Sequence, residues 1–239
     1  MCGIIGVAGK SQINHYMHDG LTLLQHRGQD SAGITTFHNN RFVMQKGEGL
    51  ISNIFGPKEM DSLIGEIGIG HVRYPTAGNP GILESQPFYV NSPYGIMFAH
   101  NGNITNVDAL KKWLYETDRR HLNTDSDSEL LLNLFAHALQ VIAEPLPTIK
   151  GIFSGVDLIN KHAKGGYACV SIVVGVGLVA FRDPNGIRPL VLGKRETEKG
   201  TEYMVASESI ALDITGFELL RDVRPVSYTH LTLPTNREV

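Results

Sequence analysis

The chain has 239 residues, enough for one large domain or two small ones around a substantial buried core. A hydrophobic fraction of 42%, a charged fraction of 19% and a formal net charge of -3 are those of an ordinary globular protein, and they give no reason to expect nucleic acid as a partner. No apolar run approaches the ~18 residues a membrane-spanning helix requires, and the amino terminus lacks the charged and apolar regions of a secretory leader. The two cysteines, Cys2 and Cys169, are no disulfide framework, so a cytoplasmic protein with reduced thiols and no membrane partner is the expectation.

Gly3 to Ala8 is a short apolar run bounded by glycines and reads as a buried strand that starts almost at the terminus. A helix is expected from Met17 to Gln25, stopped by Gly28, and then a hairpin of Ala32 to Phe37 and Arg41 to Gln45 around Asn39-Asn40. A short helix near Lys58 to Ile64 leads into a strand over Ile67 to Val72. Four prolines between Tyr74 and Pro93 make that segment a long irregular loop, the kind that often carries function. Gly95 to Ala99 returns to strand, and helices follow over Val107 to Tyr115, Asp127 to Ile142 and Ile149 to His162. The second of these is apolar almost all round and should be buried.

From Tyr167 onward the pattern is strand-rich: Ala168 to Val174, Leu178 to Phe181, Leu190 to Leu192 and Tyr203 to Ala206, broken by the turn Asp183-Pro184-Asn185-Gly186. Strands, then helices, then strands is not the alternation of a parallel α/β fold; it suits antiparallel sheets covered by helices, an α+β architecture. Gly175 to Ala180 fits the spacing of a dinucleotide fingerprint, but it leads into a strand rather than a helix and is set aside. The stretch 227–239 has no amphipathic pattern and reads as an atypical tail, from truncation or foreign sequence.

The chemistry starts at Cys2. Removal of Met1 would leave a thiol and a free α-amine on one residue, and an α-amine titrates near ~8, close enough to neutral to act as base for its own nucleophile. Arg73, in Gly70-His71-Val72-Arg73-Tyr74-Pro75-Thr76, offers a planar fork for a carboxylate, and Thr76 a hydroxyl donor. Asn101-Gly102, in His100-Asn101-Gly102-Asn103, would place a side-chain amide beside a backbone N–H, two donors suited to an oxyanion hole, although Asn-Gly is also an ordinary turn pair. Asp127 opens the buried helix, with Ser126 and Glu129 spaced as a capping box; a carboxylate there suits the helix dipole and also an ammonium group. His26 is read as structural, because a terminal amine makes a second base unnecessary. Cys169 is read as an inert core residue. No metal-ligand spacing stands out among the ten histidines.

In order and spacing, the Cys2-Gly-Ile-Ile-Gly start, His26 to Gly33, Gly70 to Gly78, His100 to Asn103 and Thr124 to Glu129 resemble the class II glutamine amidotransferases. Gln86 to Gly95, Phe181 to Arg195 and Tyr203 to Asp213 are similar to the amidophosphoribosyltransferase branch of that family, the first committed step of purine synthesis. The resemblance covers roughly Met1 to Pro225. It implies an N-terminal-nucleophile hydrolase fold, an αββα sandwich of two antiparallel sheets. It implies Cys2 as nucleophile, Asn101 and Gly102 as the oxyanion site, Arg73, Thr76 and Asp127 as the grip on glutamine, and Tyr74 in a loop that closes over it. It further implies an amidotransferase domain over 2–226 and an absent phosphoribosyltransferase domain, which would be the partner in cis. Mg2+ is expected only with that domain, no iron–sulfur cluster is expected, and a homo-oligomer is expected of the full-length protein. The alternatives are the glutaminase domain of another class II amidotransferase, or a non-catalytic module on the same fold.

Overall fold

A computed structural model describes residues 1–74, 81–142, 146–225 and 228–231. The opening apolar run is strand β1 (Gly3–Ala8), buried along its whole length. Helix α1 (Asn14–Leu23) follows and tightens into a 3-10 turn at Leu24–Arg27. Strands β2 (Ser31–His38) and β3 (Arg41–Glu48) form the expected hairpin; Asn39 and Asn40 both take positive φ, 48° and 59°, as a turn matching strand twist requires. Two short helices, α2 (Ile51–Ile54) and α3 (Pro57–Ser62), lead to β4 (Ile67–Arg73). The long proline-rich segment contains a 3-10 turn, Ile82–Glu84, and a short strand β5 (Phe88–Val90). Next come β6 (Ile96–Ile104), α4 (Val107–Asp118), α5 (Asp127–Ile142) and α6 (Ile149–His162). The last part is β7 (Gly165–Val173), β8 (Gly177–Arg182), β9 (Val191–Thr197), β10 (Gly200–Ala206), α7 (Ile210–Ile214), β11 (Glu218–Asp222) and β12 (Tyr228–Leu231).

The strands make two antiparallel sheets, one in the order β11-β9-β10-β1-β4-β2-β3 and the other β12-β8-β7-β6-β5. Alternate residues of each face the space between them: Ile4, Ile69, Met97, Ala99, Val170, Leu178 and Val205 belong to one buried cluster. The outer face of the seven-stranded sheet packs Ile5, Val7 and Val72 against Met17 and Leu21 of α1 and Leu212 of α7. The outer face of the five-stranded sheet packs Phe98, Tyr167 and Phe181 against Leu131 and Phe135 of α5 and Ile152 and Ile159 of α6. Four layers result, helix, sheet, sheet, helix, which is the α+β sandwich expected.

Several boundaries differ from expectation for physical reasons. His100-Asn101-Gly102-Asn103 is not a turn after a strand but the end of β6 itself, paired with β7 through Ile104 and Gly165. The capping box at α5 does not close. Ser126 Oγ accepts from Ser128 N at 3.3 Å, while Glu129 reaches further back, to Asn123 N at 2.9 Å and Thr124 N at 2.7 Å. Tyr228–Leu231, within the stretch read as a tail, pairs antiparallel with β8. Gly175 to Ala180 turns from β7 into β8, so no helix follows it.

One buried carboxylate organises the turn after β8. Asp183 is fully buried and accepts from Tyr167 N (3.2 Å), Asn185 N (3.0 Å), Ile187 N (2.9 Å) and Arg188 N (3.3 Å). Asp183→Ala leaves these donors without a partner and should lower stability by about 3–5 kcal/mol, read as a shift in the denaturant midpoint.

Candidate active site

Strand parity brings the predicted residues together. Cys2 precedes β1 on the face that carries Ile4 and Ala8, Arg73 ends β4 on the face of Ile67 and Ile69, and Asn101 lies on β6 on the face of Met97 and Ala99. All three therefore point into the space between the sheets at one end of the sandwich. There a cleft of about 210 Å³ is lined by Cys2, Arg73, Tyr74, Gly102 and Asp127, together with Glu84 and Gln86. Thr76 lies outside the described residues.

The amino terminus is tied down. Ile4 N donates to Ser207 Oγ at 3.0 Å, and Ser207 N donates to Ile4 O at 3.0 Å. Arg27 Nε donates to Cys2 O at 2.9 Å, and its Nη1 pairs with Glu208. The turn that carries Arg27 fits against β4 only because residue 28 is glycine: a Cβ there would stand 2.4 Å from the Arg73 carbonyl carbon. His26 faces away from Cys2, with Nδ1 on Leu23 O at 2.8 Å and Nε2 on Glu208 at 3.2 Å, so no Cys–His dyad forms.

The edge of β6 shows how an oxyanion site arises from a ladder. Tyr167 directs both backbone groups to Asp183, accepting from Asp183 N at 2.8 Å and donating to its carboxylate. The pair Gly102↔Tyr167 is thus a non-hydrogen-bonded one, and Gly102 turns its N–H away from β7. Outward-facing N–H groups on this strand recur every second residue. His100 N is taken by Gln86 Oε1 at 2.7 Å and Ile104 N by Asp127 Oδ2 at 3.0 Å, which leaves the N–H of Gly102 between them, facing the cleft. Glycine is required here because a Cβ would stand 2.2 Å from Gly166 O. Asn101 is buried beside the cleft rather than lining it, and its amide nitrogen has no hydrogen-bond partner among the described residues.

Charge is distributed unevenly. Arg73 is buried and already engaged: Nη1 meets Asp30 Oδ2 at 2.6 Å and Nη2 meets Glu84 Oε2 at 2.6 Å. Asp127 keeps Oδ1 3.6 Å from His100 Nδ1, and that ring nitrogen is 2.9 Å from Ser128 Oγ. Burial pushes the Cys2 thiol above its usual range; the Tyr74 N–H, the amino-terminal charge and Arg73 pull it back in part, and the Asp127 carboxylate adds to the rise. His71, sealed between the sheets, is lowered to about 3 by burial and by the His100 and Arg73 charges, so it is neutral at pH 7. Its ring makes no hydrogen bond of normal geometry, although it lies near the His100 backbone. Cys169 is fully buried with its thiol held well above the usual range, as expected of an inert core residue.

Glu84, Gln86, Asp30 and Arg27 were not singled out from the sequence. Only the run of prolines around Glu84 and Gln86, and the polar density of His26 to Asp30, signalled that these segments mattered. Tyr74, half exposed, also borders a second cavity of about 430 Å³ shared with His26, Gly28, Gln29 and Asp30. Among the described residues no group of three or more His, Cys, Asp or Glu side chains gathers as a metal site, and no helix is long and apolar enough to cross a membrane.

Comparison with known proteins adds the following. Residues 81–213 match the family model described as glutamine amidotransferase domain. An amidophosphoribosyltransferase from Pseudomonas aeruginosa is 55% identical over 97% of this chain and 46% of its own length, and one from Escherichia coli is 55% identical with the same coverage. The solved glutamine phosphoribosylpyrophosphate amidotransferase from B. subtilis, complexed with ADP and GMP, superposes with a TM-score of 0.78 at 33% identity, over 94% of this chain and 46% of that one. The chain spans about half the length of the curated relatives it matches.

Proposed function

The chain belongs to the family of glutamine amidotransferase domains, and from that premise we propose that Cys2, made the amino terminus by removal of Met1, attacks the side-chain amide of glutamine and releases ammonia. The single observation that carries the reading is the pair of donors unclaimed among the described residues, the Gly102 N–H facing the cleft and the Asn101 amide nitrogen, on the strand end that faces Cys2 across the sheets.

The Cys2 thiol passes its proton to its own α-amine, and the sulfur bonds to the amide carbon. The carbonyl oxygen takes the negative charge and accepts hydrogen bonds from Gly102 and Asn101, donors held in place before the reaction begins. The proton moves from the α-amine to the amide nitrogen, ammonia leaves, and a glutamyl thioester remains on Cys2. Water then adds to the thioester, glutamate departs, and the thiol regains its proton. Arg73 and Thr76 hold the α-carboxylate of glutamine, Asp127 its α-ammonium, and Tyr74 lies in the segment that closes over it. The names of the relatives support a larger proposal: the ammonia serves a phosphoribosyltransferase part in cis that makes phosphoribosylamine, the first committed step of purine synthesis. Mg2+ belongs with that part, the full-length protein is a cytoplasmic homo-oligomer, and no cofactor acts in the glutaminase half.

The test is to incubate the processed chain with a chloroketone analogue of glutamine and read intact mass. One adduct on Cys2, suppressed by glutamine, is expected. A folded chain that takes no adduct would instead be a non-catalytic module.

A further inference from the structure

Arg73 supplies the charge in the proposed grip on an α-carboxylate, yet both of its terminal nitrogens already carry carboxylates. The two partners are not equivalent. Asp30 is Arg73's fixed neighbour: its backbone N also donates to Arg73 O at 3.0 Å, across the junction of β2 and β4. Glu84 arrives from elsewhere, at the end of the separate 3-10 turn Ile82–Glu84. The next residues lock that turn. Lys46 Nζ donates to Ser85 O at 2.7 Å, Gln86 bonds to both backbone groups of His100, and the Gln86 carbonyl lies against Gly33. The Glu84 side chain is 12% exposed and lines the cleft with Cys2.

We propose that Glu84 is a specificity-determining residue that stands in for the α-carboxylate of the substrate: it pairs with Arg73 Nη2, and glutamine binds by exchanging its own carboxylate onto that nitrogen. The proposal rests on the assignment of Arg73 to the glutamine carboxylate. The charge around the site favours an exchange over simple addition. The carboxylates in contact with the guanidinium are Asp30 and Glu84, and Asp127 also lines the cleft; the other cations near it, the amino-terminal charge beside Cys2, Arg188 near His100 and Lys111 paired with Asp125, do not sit on Nη2, so a carboxylate arriving at that nitrogen meets the Glu84 charge directly until Glu84 leaves. An arginine fork pairs with a carboxylate through two parallel bonds, and sharing it among three carboxylates weakens each. Glu84 thereby sets a threshold that only a ligand with an α-carboxylate of its own overcomes, and it opposes retention of the product glutamate by the same exchange.

The experiment measures inactivation of Cys2 by the chloroketone analogue, separating the half-saturation concentration from the limiting rate, in wild type, Glu84→Gln and Glu84→Met, with thermal melts to establish folding. The half-saturation concentration should fall by about tenfold in both variants, with the limiting rate unchanged within about twofold. Protection by glutamate should strengthen in parallel, while protection by 4-aminobutanamide, which is glutamine without its α-carboxylate, should not change. An unchanged or raised half-saturation concentration in either folded variant overturns the proposal. Equal strengthening of protection by 4-aminobutanamide overturns it as well, since the gain would then be one of space and not of charge. Absence of any adduct in wild type would instead sink the glutaminase assignment, and the two failures are told apart by that control.

Discussion

Glutamine hydrolysis falls by on the order of 10⁴- to 10⁶-fold when Cys2 is replaced by alanine, and in the wild type it rises with pH through neutrality. The size of the loss follows from the role. No other thiol is within reach, since Cys169 is sealed in the core of the five-stranded sheet and resists ionisation. The pH dependence follows from the environment of the nucleophile. Burial favours the neutral thiol over the thiolate, and the Tyr74 N–H, the amino-terminal charge and Arg73 offset it only partly. The reactive anion is therefore scarce at low pH and more abundant as pH climbs, and the α-amine gains its ability to take a proton over the same range, near ~8. Steady-state rates between pH 6 and 9 for both proteins check this. A rate that falls across that range, or alanine activity within tenfold of wild type, would remove Cys2 from the chemistry.

Asn101→Ala should lower kcat by about 100- to 1000-fold with little change in KM or in thermal midpoint. These expectations are linked. The amide nitrogen of Asn101 has no partner among the described residues, so truncating the side chain removes no hydrogen bond of that nitrogen and sheds a buried donor that was unsatisfied. The bond it makes is one that exists only when charge develops on the substrate oxygen, which is the kind of interaction that raises kcat without tightening substrate binding. A variant with kcat within about threefold of wild type would assign the oxyanion to Gly102 alone. A large drop in thermal midpoint would assign Asn101 to structure.

Much of this arrangement is legible in the chain itself, and the rest is hidden for reasons that can be named. The bounds of β1, α5 and α6 follow from apolar runs and their flanking residues; the Thr148 cap of α6, accepting from Gly151 N at 3.1 Å, was not read from the sequence. Cys2, Arg73 and Asp127 are weak signals singly, and the order and spacing of the blocks that hold them are what made them legible. Asn101 and Gly102 were harder. Asn-Gly is a good turn pair, and what holds it in a strand is Asp183, some 80 positions away, drawing Tyr167 to one side. The partnership of Arg73 with Asp30 and Glu84 is likewise a product of register and packing, with no local pattern to betray it. β11 escaped notice because every residue in it is exposed and no alternation marks it.

The position of β1 bears on how the protein is made and handled. It is an interior strand, flanked by β4 on one side and β10 on the other, and Ile4 reaches its partner Ser207 across 203 positions of sequence. The first segment to leave the ribosome must therefore wait for one made some 200 residues later before its sheet closes, which makes for slow folding and an interval in which apolar edges are bare. The same placement governs tagging. A peptide fused ahead of Cys2 would start inside the molecule and have to leave by the mouth of the cleft, so a purification handle does not belong there.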